Sequence, residues 1–460
     1  MDGDTIAAIS TPIGEGGIGI VRLTGPDSIA LVDELFRSPR GVALRDVATH
    51  TLHYGRIVVD DRTVDEVLVS VLRAPRTYTR EDVVEINCHG GGVASRAVLD
   101  AVLHAGARMA ERGEFTKRAF LNGRISLDQA KAVLDVVRAR TALGLEAAVD
   151  RLGGRFSDAL DSVRRALAEI LADLEVEIDY PDLDADVEAV LPRIDGLCER
   201  VDRMLAQSEQ GRIVREGLTI AIVGRPNVGK SALLNALLAE ERAIVTPIPG
   251  TTRDTVEEEA SLGGIPVRWV DTAGLRRPSD PIEAEGIERT ERAIDRSDLV
   301  LCLVDRSEPL TAEDREILVR VWGVPSILVV NKTDLPSRLG EDLQDPLDRT
   351  GLGTFIDRID VSARTGDGIG ALTDVIVERL LDGKLPTRNS ILLLDAWERD
   401  LIRRVGEALR GAAEAARIGR TADMVAEELR ISFQIAGELQ GIDVSESILD
   451  AVFERFCIGK

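Results

Sequence analysis

The sequence predicts a multidomain α/β protein in which a helical domain is interrupted by an inserted α/β domain. Three observations carry this. Residues 217–381 alternate apolar, β-rich runs with helical stretches around a glycine-rich turn. Apolar residues three and four apart fill about 126–213, and the same period returns from about 384 to 460. Residues 1–124 instead show short β-rich runs punctuated by Gly and Pro. The expected divisions are 1–124, 125–216, 217–381 and 382–460. The two helical segments either pair into one domain around the insertion or form consecutive domains.

Composition bounds the function. At 460 residues the chain is too long for a single core. No run of about 18 apolar residues suggests a membrane span, and the N-terminus lacks the basic and apolar regions of a secretion signal. Cys88, Cys198, Cys302 and Cys457 are scattered without CxxC spacing, which fits reduced thiols and a cytoplasmic location. Cys302, inside an apolar run, is expected in the core. The net charge of −23 disfavours constitutive RNA binding by the whole surface. Residues 1–124 hold 17 acidic and 15 basic side chains, a net of −2, so the excess acidity lies beyond them. Only six of the 57 basic residues are Lys, at 117, 131, 230, 332, 384 and 460. Where this Arg-rich chain keeps Lys, a compact charge is the expected requirement.

In the N-terminal region IGIVRL (18–23), THTLHYGRIVV (49–59), VDEVLVSVL (64–72) and EDVVEINC (81–88) are expected strands, followed by the helix ASRAVLDAVLHAG. The next region is helical until Pro181 breaks it.

The inserted region carries chemistry. Gly224–Ser231, GRPNVGKS, is a GxxxxGKS phosphate loop between an expected strand and helix. Backbone N–H groups at Asn227, Val228, Gly229 and Ala232 would curl around phosphates, Lys230 would neutralise β and γ oxygens, and the Ser231 hydroxyl would ligate Mg2+. Thr252 follows about 20 residues later in PGTTRD and suits a switch threonine reaching Mg2+ and the γ-phosphate. VRWVDTAG supplies Asp271, Thr272, Ala273 and Gly274: Asp271 would act on Mg2+, and the Gly274 N–H would sense the γ-phosphate. SILVVNKTD gives Asn331, Lys332 and Asp334. A carboxylate there accepts the N1 and N2 hydrogens of guanine, a pair that adenine lacks, which selects GTP. Ser362, Ala363 and Arg364 of VSAR complete the base pocket. These motifs, in this order, define a Ras-like P-loop G domain. The residue after DTAG, a water-orienting glutamine in Ras-like proteins, is Leu275, so another group must orient water.

Three further stretches, DTIAAISTPIGEGGIGIVRLTG (4–25), GEFTKRAFLNGRISLDQA (113–130) and the terminal FCIGK, together with GRPNVGKS and IPGTTRD, closely resemble the MnmE (TrmE) family of tRNA uridine-modification GTPases. The resemblance runs from residue 4 to 460. It implies an N-terminal tetrahydrofolate-binding-like domain that also forms a homodimer. It further implies an FAD-dependent partner, MnmG (GidA), joined as a heterotetramer, and tRNA as substrate. The implied product is an aminomethyl or carboxymethylaminomethyl group on C5 of the wobble uridine. It implies K+-dependent G-domain dimerisation that drives hydrolysis, with K+ contacts at Asn227, Thr246, Ile248 and Thr251. Glu283 would be the water-orienting carboxylate. The folate contacts fall on Arg22, Glu81, Arg124 and Lys460. Relatives often have Lys where Arg124 stands, and either cation serves a folate carboxylate. Cys457 matches the family's C-terminal cysteine, with its role open. The alternative function is a ribosome- or RNA-associated switch GTPase. That reading expects an RNA-binding module after the G domain, and the acidic helical C-terminus offers none.

Overall fold

The computed structural model describes residues 3–12, 14–180, 187–240, 258–271, 294–321, 323–339, 355–380, 387–442 and 446–460. The chain forms two compact units. One comprises Met1–Leu134, Arg151–Leu191 and Gly411–Lys460; the other comprises Asp135–Asp150 and Pro192–Arg410.

In the first unit, β1 (Ile6–Ile9), β2 (Ile18–Thr24), β3 (Phe36–Arg37), β4 (Thr51–Val59), β5 (Arg62–Leu72), β6 (Val83–His89) and β7 (Arg108–Met109) form one sheet. Its order is β3-β4-β5-β6-β2-β1-β7, antiparallel except where β7 runs parallel to β1. Alternation sets its faces: Val67, Val69 and Val71 of β5 point into the core with Val21, Leu23, Val84 and Ile86. Helices α1 (Ser28–Leu35) and α2 (Gly92–His104) contribute Ile29, Val32, Val98, Leu99 and Val102 to that core. The expected strands are present. β1, β3 and β7 were not expected, since runs of two to four residues carry too little pattern to read.

A short helix, α3 (Glu114–Leu121), anchors this sheet through charge. Glu114, 3% exposed, accepts hydrogen bonds from Arg108 Nη2 at 2.6 Å, Arg118 Nη2 at 3.0 Å and the Glu111 N–H at 2.8 Å. Burial alone would raise its pKa, but the bonds from Arg108, Glu111 and Arg118 outweigh that and hold it below the ordinary 4.5. A carboxyl depressed on folding stabilises above its unfolded pKa, and that contribution is lost as pH falls through the folded value. Glu114→Gln should therefore cost about 3 kcal/mol near neutral pH, because Arg118 stays buried with part of its charge uncompensated. The difference from wild type should shrink as pH drops below about 4. Hydrogen exchange of residues 114–121 against pH measures it; a pH-independent difference would contradict this origin.

The helices α4 (Leu127–Arg138), α5 (Ala142–Leu152), α6 (Arg155–Asp179) and α7 (Val187–Glu216) follow. The expected helical region is thus broken, most clearly at Gly154, whose φ of 95° an L-residue rarely adopts. Pro181 lies outside the described residues. Within the first unit, α6 buries Phe156, Leu160, Val163, Leu167, Ile170 and Leu174, a stripe at three- and four-residue spacing.

In the second unit, β8 (Leu218–Val223), α8 (Lys230–Glu240), β9 (Glu258–Leu262), β10 (Ile265–Asp271), β11 (Leu299–Asp305), α9 (Ala312–Arg320), β12 (Ser326–Asn331), β13 (Phe355–Asp360) and α10 (Ile369–Leu380) build a doubly wound domain. Its strand order is β13-β12-β11-β8-β10-β9, parallel except for β9. Every residue of β8, β11 and β12 is buried, because helices cover both faces. Leu233, Leu237, Leu372 and Ile376 pack on one face, and Leu318 and Val321 on the other. Cys302 lies in this core as expected, and burial pushes its thiol pKa up to about 12.

Finally come α11 (Ala396–Arg417), α12 (Ala422–Leu439) and α13 (Glu446–Phe453). α12 packs against α6 in the first unit, where Arg164 stacks on Phe433 at 4.5 Å from the ring centroid and Arg430 pairs with Glu175. The four cysteines form no disulfide with one another, and no helix among the described residues is long and apolar enough to cross a membrane.

Candidate nucleotide-binding site

The order of the parallel strands dictates where the second unit can bind a ligand. From β8 the chain passes to β10 on one side and later to β11 on the other, so a crevice opens beyond the carboxyl end of β8. The loop between β8 and α8 fills that position. It takes positive φ at Gly224 (157°), Asn227 (65°) and Gly229 (101°), which curls successive N–H groups toward one point. Glycine is required at 229, where a Cβ would lie 2.3 Å from Asn331 Nδ2. Lys230 opens α8 and donates to the carbonyls of Gly224 (2.5 Å) and Arg225 (3.0 Å), so its ammonium lies across the loop. Ser231 and Ala232 follow in the first turn of α8, an end that attracts anions.

The loop after β12 meets the phosphate loop directly. Asn331 Nδ2 donates to the Val228 carbonyl at 2.8 Å, and Asn331 Oδ1 accepts from the Ala363 N–H at 3.0 Å. One buried amide thus ties three segments together. Ser362 Oγ donates to Asp334 Oδ1 at 2.7 Å, and Arg364 Nε lies 3.3 Å from Asp334 Oδ2. Lys332, at a φ of 67°, pairs with buried Asp305 at 2.5 Å. Burial raises the Asp305 pKa, but bonds from Lys332 and Ser307 outweigh it and hold the carboxyl below its ordinary value. A cavity of roughly 170 Å³ lies between these loops, lined by Gly229, Ala232, Asn331, Lys332, Asp334, Leu335, Ala363 and Arg364. It has carboxylate, amide and backbone groups at one end and a phosphate-type loop at the other. A purine nucleotide meets that combination.

The structure therefore brings together Asn227, Val228, Gly229, Lys230, Ser231, Ala232, Asn331, Lys332, Asp334, Ser362, Ala363 and Arg364. Asp271 closes β10, its backbone beside Ile222 of β8. Thr246, Ile248, Thr251, Thr252, Thr272, Ala273, Gly274, Leu275 and Glu283 lie outside the described residues. Sequence reasoning missed Leu335, which lines the cavity, and Asp305, which holds Lys332; the Asp ending the apolar run LVLCLVD was the available signal.

A second cluster lies in the first unit. Arg22 of β2 pairs with Glu85 at 2.8 Å and lies 5.8 Å from the centroid of the Phe115 ring. Arg124 donates to the Thr77 carbonyl at 2.6 Å and stacks on Tyr78 at 5.2 Å. Burial raises the Tyr78 pKa, while the Thr116 bond and the charges of Arg124 and Arg22 work against it. Both arginines therefore act on the same phenol. Glu81 accepts from Thr24 Oγ1 at 2.9 Å and pairs with Arg118 at 3.3 Å. The C-terminal tail reaches this neighbourhood. The Gly459 carbonyl accepts from Ser10 Oγ at 3.0 Å and Arg22 Nη1 at 3.5 Å, and a Cβ at Gly459 would lie 2.4 Å from the Ile9 carbonyl. Lys460 is thus delivered beside β1, and Cys457 is exposed. Tyr78, Phe115 and Arg118 were not singled out by the sequence reading, and no local pattern marks them.

The family model described as "MnmE helical domain" matches residues 127–457, and the one described as "GTP-binding protein TrmE N-terminus" matches residues 5–124. The tRNA modification GTPase MnmE of Geobacillus kaustophilus (strain HTA426) is 45% identical over 466 residues, covering 99% of both chains. Its counterpart from Heliobacterium modesticaldum (strain ATCC 51547 / Ice1) is 46% identical over 473 residues, covering 100% of both. That of Bacillus subtilis (strain 168) is 43% identical over 464 residues, covering 99% of this chain and 100% of the relative.

Proposed function

The chain belongs to the MnmE (TrmE) family of tRNA modification GTPases, and on that premise we propose that it couples GTP hydrolysis to installing an aminomethyl or carboxymethylaminomethyl group on C5 of the tRNA wobble uridine. The observation that carries this reading is the pairing of a guanine-type pocket, with Asn331, Asp334 and Ala363 facing Gly229, with full-length similarity to tRNA modification GTPases. The working organisation is a folate-binding and dimerising segment (1–124), two helical segments (125–216 and 382–460) and a G domain (217–381).

The residues present suit the groups this function needs. Mg2+ would draw on the Ser231 and Thr252 hydroxyls and on phosphate oxygens. That is a hard-oxygen set appropriate to Mg2+. Asn227 is exposed on the phosphate loop and offers a neutral oxygen suited to K+, with Thr246, Ile248 and Thr251 as its companions. Asp271 supports the Mg2+ site, Thr272, Ala273 and Gly274 follow the γ-phosphate, and Glu283 orients water where Leu275 cannot. Arg22, Glu81, Arg124 and Lys460 hold a tetrahydrofolate derivative, the aromatic rings of Tyr78 and Phe115 flanking the cations. The chain acts in the cytoplasm as a homodimer, with an FAD-dependent partner of the MnmG (GidA) type completing a heterotetramer on tRNA.

Cells lacking the chain should lose the C5 substituent from wobble uridines, read by mass spectrometry of their tRNA nucleosides. Resupplying the full chain should restore it. A chain ending at Phe456 should restore about a tenth or less, because the tail's charged contact to the folate is gone, while hydrolysing GTP nearly normally. Undiminished modification in cells lacking the chain would contradict the function. Full restoration by the truncated chain would contradict the folate assignment.

A further inference from the structure

The phosphate loop contains an arginine whose charge is taken up by two carboxylates. Arg225 is the second residue of the loop. Its Nη2 donates to Glu308 Oε2 at 2.5 Å, and its Nε lies 3.2 Å from Asp314 Oδ2, in ionic contact without the alignment of a hydrogen bond. Its side chain is 15% exposed. Both carboxylates belong to the stretch that follows β11. Glu308 sits in the turn after Asp305, and Asp314 is in the first turn of α9. Asp314 is itself fixed, accepting from the Thr311 N–H at 2.9 Å and Thr311 Oγ1 at 2.7 Å in a capping box. Burial works against the guanidinium charge, and Glu308, Asp314 and Asp305 outweigh it.

The same stretch reaches the base side of the site. Asp305 pairs with Lys332, the Arg306 N–H donates to the Asn331 carbonyl at 3.0 Å, and the Arg338 N–H donates to the Arg306 carbonyl at 2.9 Å. Residues 305–314 therefore touch the phosphate loop through Arg225 and the base loop through Lys332.

We propose that Arg225 is a positioning residue for GTP binding: its ion pairs to Glu308 and Asp314 anchor the phosphate loop in its binding shape, and residues 305–314 brace that loop against the base loop. The proposal rests on residues 224–231 being the phosphate site. Three residues of this loop take positive φ, one of them Asn227, so an unanchored loop has cheaper conformations available. Holding it in place before the ligand arrives removes that ordering cost from binding. Arg225 does so without touching phosphate, because its guanidinium is already occupied by carboxylates. Lysine would serve less well, since a single ammonium lacks the planar fork that meets two carboxylates at once.

The test is calorimetric titration of GDP and GMP into the full chain and its variants. An anchor for the phosphate loop should matter to the β-phosphate and little to the base. Arg225→Ala should weaken GDP binding about tenfold and GMP binding less than about twofold. Arg225→Lys should fall between wild type and Ala. Glu308→Gln, at a half-exposed side chain that threatens folding little, should weaken GDP about threefold with GMP unchanged. Equal losses for GDP and GMP in Glu308→Gln would mean general loosening of the domain and would overturn the proposal. Unchanged GDP affinity in both Arg225→Ala and Glu308→Gln would overturn it as well. Lys230→Ala separates the premise from the anchor: it should abolish tight GDP binding, and unchanged affinity there would remove the phosphate site and the anchor with it.

Discussion

GTP hydrolysis by the full-length protein is expected to run about a thousandfold faster in potassium than in sodium at equal ionic strength. Leu275 cannot orient water, and the phosphate loop offers no arginine free to serve the transition state. Arg225, the arginine on that loop, is committed to Glu308 and Asp314. Charge developing on the leaving phosphate still needs a partner, and a fixed monovalent cation supplies what an arginine finger supplies elsewhere. Asn227 is the residue proposed to hold it: its φ is 65° and its side chain is exposed. Neutral oxygens favour the larger, less tightly hydrated K+ over Na+. Asn227→Ala should remove most of the difference between the salts. Glu283→Ala should slow turnover while leaving nucleotide affinity nearly unchanged, as expected of a group that acts only on water in the transition state. Steady-state phosphate release in matched K+ and Na+ buffers measures all three. Equal wild-type rates in the two salts would contradict the cation, and an unaffected Glu283→Ala rate would remove that residue from the reaction.

Asp334→Asn should reverse base preference from GTP toward xanthosine triphosphate. Ser362 Oγ donates to Asp334 Oδ1, which fixes the carboxylate and leaves acceptor capacity on both oxygens for the N1 and N2 hydrogens of guanine. The Arg364 guanidinium beside Oδ2 is largely exposed and able to swing aside. An amide in place of the carboxylate presents a donor to the guanine amino group, and the lost charged pair should cost about 2–4 kcal/mol of GTP binding. Xanthine carries a carbonyl at that position and accepts from the same amide.

Much of the second unit was legible because its information is local. The strands β8, β11 and β12 announce themselves as unbroken apolar runs, and their loops carry residues whose chemistry is fixed by type and spacing. Lys332 and Asp334 sit two residues apart on one turn, so no tertiary knowledge was needed to bring them together. The first unit was legible in its sheet, where alternation in IGIVRL and VDEVLVSVL survives in the register of β2 and β5. Its second cluster was not derivable from residue patterns. Tyr78 meets Arg124, and Phe115 meets Arg22, only after β2, the 73–82 loop and α3 have packed. The Gly459 carbonyl meets Ser10 across a separation of 449 residues. Arg22, Glu81, Arg124 and Lys460 came from family resemblance, while Tyr78, Phe115 and Arg118 came only from the fold. The anchoring of Arg225 was illegible for the same reason, since an arginine beside a phosphate loop gives no hint in sequence of which way its charge turns.

The most direct test of the guanine-nucleotide site is the ratio of kcat/KM for GTP to that for xanthosine triphosphate, measured on wild type and Asp334→Asn in potassium. Wild type should strongly favour GTP, and the ratio should invert in the variant. An unchanged ratio would contradict the assignment of this pocket to guanine.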